Sequence, residues 1–134
     1  MEGGVSRAID TNVVIRYLTA DDPVQTPIAT ETLRSGFVLP LTVLMESEWV
    51  LRSAYRWPRD RIAAALAAMI DLPTALSVPE GSGWALDRFA RGADLADMLH
   101  VVAATGDASA FATFDTGVAG LAGMDSPVAI ETLS

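Results

Sequence analysis

Acidic side chains recur in this 134-residue sequence at places where a fold could gather them for chemistry. Asp10 directly follows a short apolar segment, and Asp115 follows a second one. Glu46 lies within an apolar helical pattern, and Asp94 and Asp97 are one helical turn apart. Carboxylates in the absence of thiols suit a hard cation such as Mg²⁺ or Mn²⁺, which supports hydrolysis of phosphodiester bonds by metal-activated water. The pattern therefore predicts a carboxylate metal site.

The four aspartates of this set also have ordinary structural interpretations. Asp10 and Asp94 are of the type that caps a helix N-terminus, and Asp97 at the third helical position would complete a capping-box-like pair. Asp115 is placed to form a turn before Gly117. Each aspartate alone favours one of these roles, and only their combination favours a metal site.

Glu46 is expected on or beside the buried face of its helix. Its neighbours one turn away include Val43 and Trp49, and Trp49 is itself expected in the core. A carboxylate there is costly unless a cation compensates it. Glu48 is expected to form a solvent-exposed i,i+4 pair with Arg52, although a shift in helical register would make Glu48 the site acid instead.

Composition excludes several classes of site. The sequence has no cysteine, one histidine (His100) and no lysine, since all nine basic residues are arginines. Disulfide scaffolds, cysteine-ligated zinc sites, Walker-type phosphate loops and Schiff-base chemistry are therefore excluded. Haloacid-dehalogenase-like phosphatases and response-regulator receivers also require a lysine. The net charge of −8 argues against general binding of polyanions.

Short apolar segments alternate with helical patterns, which predicts an α/β fold with a small, mainly parallel sheet. The predicted strands are Val5–Ile9, Phe37–Leu39, Leu76–Val78, Ala110–Phe114 and Val128–Glu131. The predicted helices are 12–19, a helix from about 23 to 34, 42–55 with Thr42 as its N-cap, 59–70 opened by Pro58, 79–91, and 94–105. The strands are expected to be buried, as in parallel sheets, whose ligands bind at the carboxyl ends of the strands.

The chain is expected to form one domain, residues 1–134. No export signal is visible at its start, and the apolar helical run Ile62–Ile70 is too short to cross a bilayer. We therefore expect a cytoplasmic protein with no membrane segment. The residues Glu2, Gly3 and Gly4 are expected to form a mobile leader.

Four motifs, in this order, resemble those of PIN-domain ribonucleases, and most closely those of VapC-type toxins of toxin–antitoxin pairs. They are AIDTNVVIRYL at 8–18, LMESEWVLR at 44–52, ADLADMLH at 93–100 and ATFD at 112–115. The resemblance extends from Arg7 to about Leu121. It implies a three-layer fold with helices on both faces of the sheet, and Mg²⁺- or Mn²⁺-dependent endoribonuclease activity on tRNA, rRNA or mRNA. It also implies a homodimer that a cognate antitoxin holds inactive.

The resemblance further implies roles for individual residues. The catalytic acids would be Asp10, Glu46, Asp97 and Asp115, of which Asp10 and Asp97 would hold the metal ion directly. Supporting residues would be Thr11, Asn12, Asp94 and Thr113. Met98 stands where a small residue is usual, and we expect that change to affect packing rather than chemistry.

Four arginines close together, Arg52, Arg56, Arg59 and Arg61, are either an RNA-binding rim or a solvated helical face. Tyr55 and Trp57 could anchor the antitoxin or a second copy of the chain. His100 is expected to be a partly buried histidine whose hydrogen bonds are satisfied, although it could touch the site. The alternative function is a catalytically silent PIN-like module that binds a protein partner or acts in regulation.

Overall fold

The structure, a computed structural model, describes residues 6–134. The expected leader at residues 2–4 and the first residue of the first predicted strand, Val5, lie outside the described residues. Helices and short parallel strands alternate along the chain, which confirms the predicted α/β class. The contacts divide the chain into a first unit that ends at Pro79 and a second unit, Glu80–Ser134. The single domain expected over residues 1–134 stays a prediction.

The first unit contains a parallel three-stranded sheet in the order β1-β2-β3. Its strands are β1 (Arg7–Ala8), β2 (Phe37–Val38) and β3 (Ala75–Ser77). Its helices are α1 (Thr11–Thr19), α2 (Gln25–Arg34), α3 (Leu41–Ser53) and α4 (Arg59–Ile70). The predicted limits of α4 are confirmed at both ends. Pro58 is the N-cap residue and has an extended backbone, so the helix begins at the next residue, Arg59.

The N-terminus of α3 differs from the prediction. Pro40, with φ −68° and ψ 149°, occupies the N-cap position, and no side chain caps the helix. Thr42 is therefore not the cap but a residue of the first turn. The fixed φ of proline sets the N-cap two residues before the position that side-chain preference alone indicated.

The second unit contains a parallel pair of strands, β4 (Ala110–Thr113) and β5 (Ala129–Thr132). Its helices are α5 (Ser82–Ala90), α6 (Leu95–Ala103) and α7 (Val118–Ala122). Helix α5 begins later than predicted because Gly81 precedes it with φ +74°, a left-handed conformation that ends the preceding extended segment. Helix α7 was not predicted, since it has only five residues and one of them is a glycine.

Helices rather than strands supply most of the hydrophobic core. Within the described strands, Phe37 is the single buried residue, although Ile9 and Leu39, which directly follow β1 and β2, are also buried. The expectation of buried strands is therefore wrong. Strands of two to four residues offer little surface to cover, and the long apolar side chains of the helices form the core instead. Met98 is fully buried, as its expected packing role requires.

None of the helices in the described part of the chain combines the length and the apolar character needed to span a bilayer.

A buried arginine joins two segments of the second unit. The Arg88 side chain, on α5, is only 7% exposed. Its Nε donates to the carbonyl of Ala122 at 3.0 Å, and its Nη2 donates to Oδ1 of Asp125. This hydrogen bond holds the pKa of Asp125 below its usual value. A buried guanidinium is tolerated here because its N–H groups are hydrogen-bonded and its charge is paired with that of Asp125.

Replacing this arginine should destabilise the protein. Arg88→Met removes the donors to Ala122 and Asp125 and leaves a carbonyl without its partner, so we expect a loss of about 2–3 kcal/mol in the free energy of unfolding. Urea unfolding followed by circular dichroism measures it. The matched control is Arg91→Met, whose side chain is 66% exposed, and it should change stability by no more than about 0.5 kcal/mol. Equal losses in both variants would contradict the role assigned to burial.

Candidate functional site

The first unit has a surface pocket of about 440 Å³ at the N-terminal end of α1. It is lined by Asp10, Thr11, Asn12, Ile15, Arg16, Val43, Glu46, Val50 and Tyr55. The pocket therefore brings together two of the predicted catalytic acids and two of the predicted supporting residues. These residues lie in two separate parts of the sequence, the turn from β1 into α1 and the middle of α3.

Both acids in this pocket are held in place by hydrogen bonds. Asp10 is the N-cap of α1, and its Oδ1 accepts a hydrogen bond from the backbone N–H of Val13 at 3.2 Å. The Thr11 hydroxyl donates to Oε1 of Glu46 at 2.5 Å. Each carboxylate thus has one oxygen engaged, and its second oxygen has no hydrogen-bond partner among the described residues. The helix-cap interpretation of Asp10 is confirmed, and it leaves one oxygen for a ligand.

The structure corrects the expected burial along α3. The buried face of this helix carries Leu44, Ser47, Glu48 and Leu51. Glu46 is exposed and Trp49 is 56% exposed, so the placement of both on the core side is wrong. Two apolar neighbours of Glu46 one helical turn away, Val43 and Val50, line the pocket. Glu46 thus faces the pocket, although the burial argument that favoured it fails.

Glu48 is the buried glutamate of α3. Its predicted pair with Arg52 is confirmed, with Nε of Arg52 donating to Oε2 at 2.6 Å, but the Glu48 side chain is only 7% exposed. The pair therefore lies at the edge of the core rather than in solvent. Its buried carboxylate is compensated by the arginine, as a buried charge requires. Glu48 does not line the pocket, which favours Glu46 over the alternative register.

The second unit brings together three other acids of the predicted site. Asp94 is the N-cap of α6 and accepts a hydrogen bond from the backbone N–H of Asp97 at 2.9 Å, which confirms the cap interpretation. Burial raises the pKa of Asp97, and the negative charges of Asp94 and Asp115 raise it further. His100 acts in the opposite direction on this pKa, but it is exposed rather than partly buried as expected.

Asp115 forms the predicted turn after β4. Its Oδ1 accepts a hydrogen bond from the backbone N–H of Gly117 at 2.8 Å, and its own N–H donates to the Thr113 hydroxyl at 3.0 Å. Thr113, predicted as a supporting residue, thus fixes the backbone that carries Asp115.

The donors in both units fit a hard divalent cation. They are carboxylates, a hydroxyl and an amide, with oxygen atoms as the ligands that Mg²⁺ and Mn²⁺ prefer. Burial is the main cause of the raised pKa of Asp97, and the repulsion by Asp94 and Asp115 that adds to it is of the kind that a bound cation would neutralise. Within residues 6–134, no three acidic or histidine side chains are arranged closely enough to hold a metal ion.

The four clustered arginines are all exposed. The guanidinium of Arg61 lies 3.8 Å from the centre of the Trp57 ring, a cation–π contact. Tyr55 is half-buried and donates its hydroxyl hydrogen to Asp21 at 2.9 Å. The RNA-binding role of the arginines and the interface roles of Tyr55 and Trp57 stay predictions.

Sequence reasoning missed Arg16 as a pocket residue. Arg16 follows Asn12 by four positions on α1, so the two side chains share a helical face, and both line the pocket. This spacing was a usable signal.

Comparison with known protein families identifies the family of this chain. Residues 8–124 match the PIN domain family. The chain belongs to the PIN domain family. PIN domains are generally nucleases and typically use divalent metal ions. No curated protein and no solved structure matches the chain.

The carboxylates of the second unit of this PIN domain should affect its stability in a pH-dependent manner. Because the folded pKa of Asp97 lies above the unfolded value, its charged form costs stability at neutral pH, and that cost disappears as the pH falls through the acid range. Asp97→Asn should therefore raise Tm at pH ~7 in EDTA by a few degrees, and the gain should fade toward pH ~4.

The control for this measurement is Asp107→Asn, which removes one charge from an exposed position. It should leave Tm nearly unchanged. Addition of Mg²⁺ should stabilise the wild type more than Asp97→Asn, because the cation compensates the same repulsion. A variant less stable than the wild type at neutral pH in EDTA would contradict the electrostatic account.

Proposed function

We propose that this protein is a Mg²⁺- or Mn²⁺-dependent endoribonuclease and the toxin of a VapC-type toxin–antitoxin pair. The observation that carries the proposal is the first unit's pocket, which is lined by Asp10 and by Glu46 and in which Thr11 orients Glu46. These residues stand in the motifs that resemble PIN-domain ribonucleases, and the family membership supports nuclease chemistry.

The chain's own residues would hold and orient the reacting groups. Asp10 and Glu46 each have one fixed oxygen and a second that could accept a hydrogen bond from water or a ligand. The pKa of Asp97 is raised by burial and further by the nearby charges of Asp94 and Asp115, so these three acids give the second unit a negative region. Thr113 holds the Asp115 backbone in its turn.

The direct metal ligands in this proposal are Asp10 and Asp97, as the resemblance implies, with Glu46 and Asp115 acting through water. When bound, a divalent cation supplies charge neutralisation at the phosphate and makes coordinated water more acidic. The oxygen-only donor chemistry fits this cation and not zinc or copper.

The biological side of the proposal rests on the resemblance. It comprises a cognate antitoxin that inhibits the enzyme, a homodimer, and a cytoplasmic location where tRNA, rRNA or mRNA is the substrate. The alternative is a catalytically silent module that acts through a protein partner.

Cleavage assays separate these functions. Wild type should convert total bacterial RNA, purified tRNA or rRNA into discrete fragments with Mg²⁺ or Mn²⁺ and not with EDTA. Asp10→Asn and Glu46→Gln should lower the rate by about 100-fold or more while the protein stays folded, because each removes a charge from the site.

The matched control is Glu48→Gln, which changes the buried glutamate two residues away from Glu46. We expect lower stability and normal cleavage. Loss of cleavage in Glu48→Gln but not in Glu46→Gln would reverse the assignment within α3. No cleavage by folded, antitoxin-free wild type with either metal would favour the silent module.

The exposed arginines should contact RNA phosphates. Arg56→Gln combined with Arg59→Gln should weaken RNA binding and lower the slope of log affinity against log salt by about 0.7 per lost contact. Fluorescence anisotropy at several salt concentrations measures both quantities. The control is Arg34→Gln combined with Arg91→Gln, which removes the same charge from other exposed positions. Identical slopes for the two double variants would assign the cluster to an ordinary solvated face.

A further inference from the structure

A ribonuclease pocket that contains Asp10 and Glu46 must also accept an anionic strand. Both carboxylates repel phosphate, and the net charge of the chain, −8, gives no general attraction. Arg16 is the single basic residue among those that line this pocket. Among the residues that line the pocket, Arg16 is therefore the one whose charge can attract a phosphate.

The guanidinium of Arg16 is held on three sides. Its Nε donates to the side-chain oxygen of Gln25 at 2.9 Å. Its Nη1 donates to Asp21 and to the Tyr55 hydroxyl, both at 3.2 Å. The Tyr55 hydroxyl in turn donates to the second oxygen of Asp21, and the Thr19 hydroxyl donates to the first. Two of the three partners of the arginine, Asp21 and Tyr55, are therefore themselves held by hydrogen bonds.

This arrangement leaves one donor group of Arg16 for a ligand. Its Nη2 has no hydrogen-bond partner among the described residues, and the side chain is 27% exposed. A guanidinium already held in one orientation loses little conformational entropy when it binds an oxyanion. Hydrogen bonds from an arginine to phosphate are charge-assisted and stronger than neutral ones.

We propose that Arg16 binds a phosphate of the RNA strand in the pocket that contains Asp10 and Glu46. The inference rests on the proposed ribonuclease function, and it makes Arg16 a substrate-binding residue that the sequence motifs did not indicate. Asp21 both orients the guanidinium and partly neutralises it, so it sets how strongly the pocket attracts the strand.

The alternative role of Arg16 is purely structural, since its hydrogen bonds link α1 to Gln25 on α2 and to Tyr55 after α3. The two roles predict different effects of charge. In a structural role, Arg16→Gln and Asp21→Asn both weaken the same network and should affect RNA binding alike. In phosphate binding, removing the arginine's charge weakens RNA affinity, and removing the charge that neutralises it strengthens RNA affinity.

The test measures binding of a short, fluorescein-labelled single-stranded RNA with Ca²⁺ in place of Mg²⁺, so that cleavage does not interfere. Arg16→Gln should bind about tenfold more weakly than the wild type, and its salt slope should fall by about 0.7. Asp21→Asn should bind several-fold more tightly. The controls, Arg34→Gln and Asp71→Asn, change the same charges at exposed positions outside the pocket and should leave affinity and slope unchanged.

The outcomes separate this inference from the proposed function. If wild type cleaves RNA but Arg16→Gln retains the affinity and salt slope of Arg34→Gln, the inference fails and the ribonuclease assignment stands. If wild type neither binds nor cleaves RNA with a divalent metal, the proposed function itself fails. If Arg16→Gln does not fold, the variants Arg16→Lys and Asp21→Asn still test whether Arg16 binds phosphate. Lysine keeps the charge and should retain most of the salt slope, and weaker binding by folded Asp21→Asn would overturn the proposal.

Discussion

The hydrogen bond from Thr11 to Glu46 is the contact on which the pocket of the first unit depends. It joins the first residue of α1 to the middle of α3, residues that are 35 positions apart in the sequence. Because Asp10 caps the same helix that Thr11 begins, the position of one acid is tied to that of the other. A charged acceptor makes this hydrogen bond stronger than a neutral one, which suits it to fix a carboxylate at an exposed position.

Three of the four aspartates of the predicted site are held by a backbone hydrogen bond. Asp10, Asp94 and Asp115 each accept a backbone hydrogen bond through Oδ1, from a residue two or three positions farther along the chain. The structural interpretation of each residue is thus correct without excluding a role at the site. A cap or turn hydrogen bond uses one oxygen and holds the carboxylate in a single orientation, and the second oxygen stays available to a ligand. Local structure therefore preorganises the acids.

The helix α3 shows where reasoning from sequence succeeded and where it failed. The motif resemblance directed attention to Glu46, and the pocket contains it, but the argument from apolar neighbours placed both Glu46 and Trp49 on the wrong side. Helical spacing tells which residues share a face, but it does not tell which face meets the core. Here the core lies against Leu44, Glu48 and Leu51, and the buried Glu48 is tolerated because Arg52 compensates its charge.

The sequence by itself determined the α/β class, the limits of α4 and the helix caps Asp10 and Asp94, because caps and prolines act over a few residues. It also contained the motifs that place the chain in the PIN domain family. Only the tertiary structure decided which glutamate of α3 faces the pocket, that the short strands are mostly exposed, and that Arg16 is held by Gln25, Asp21 and Tyr55. These outcomes depend on how the helices pack against one another, and no local preference specifies which of several polar partners a side chain contacts once they have packed.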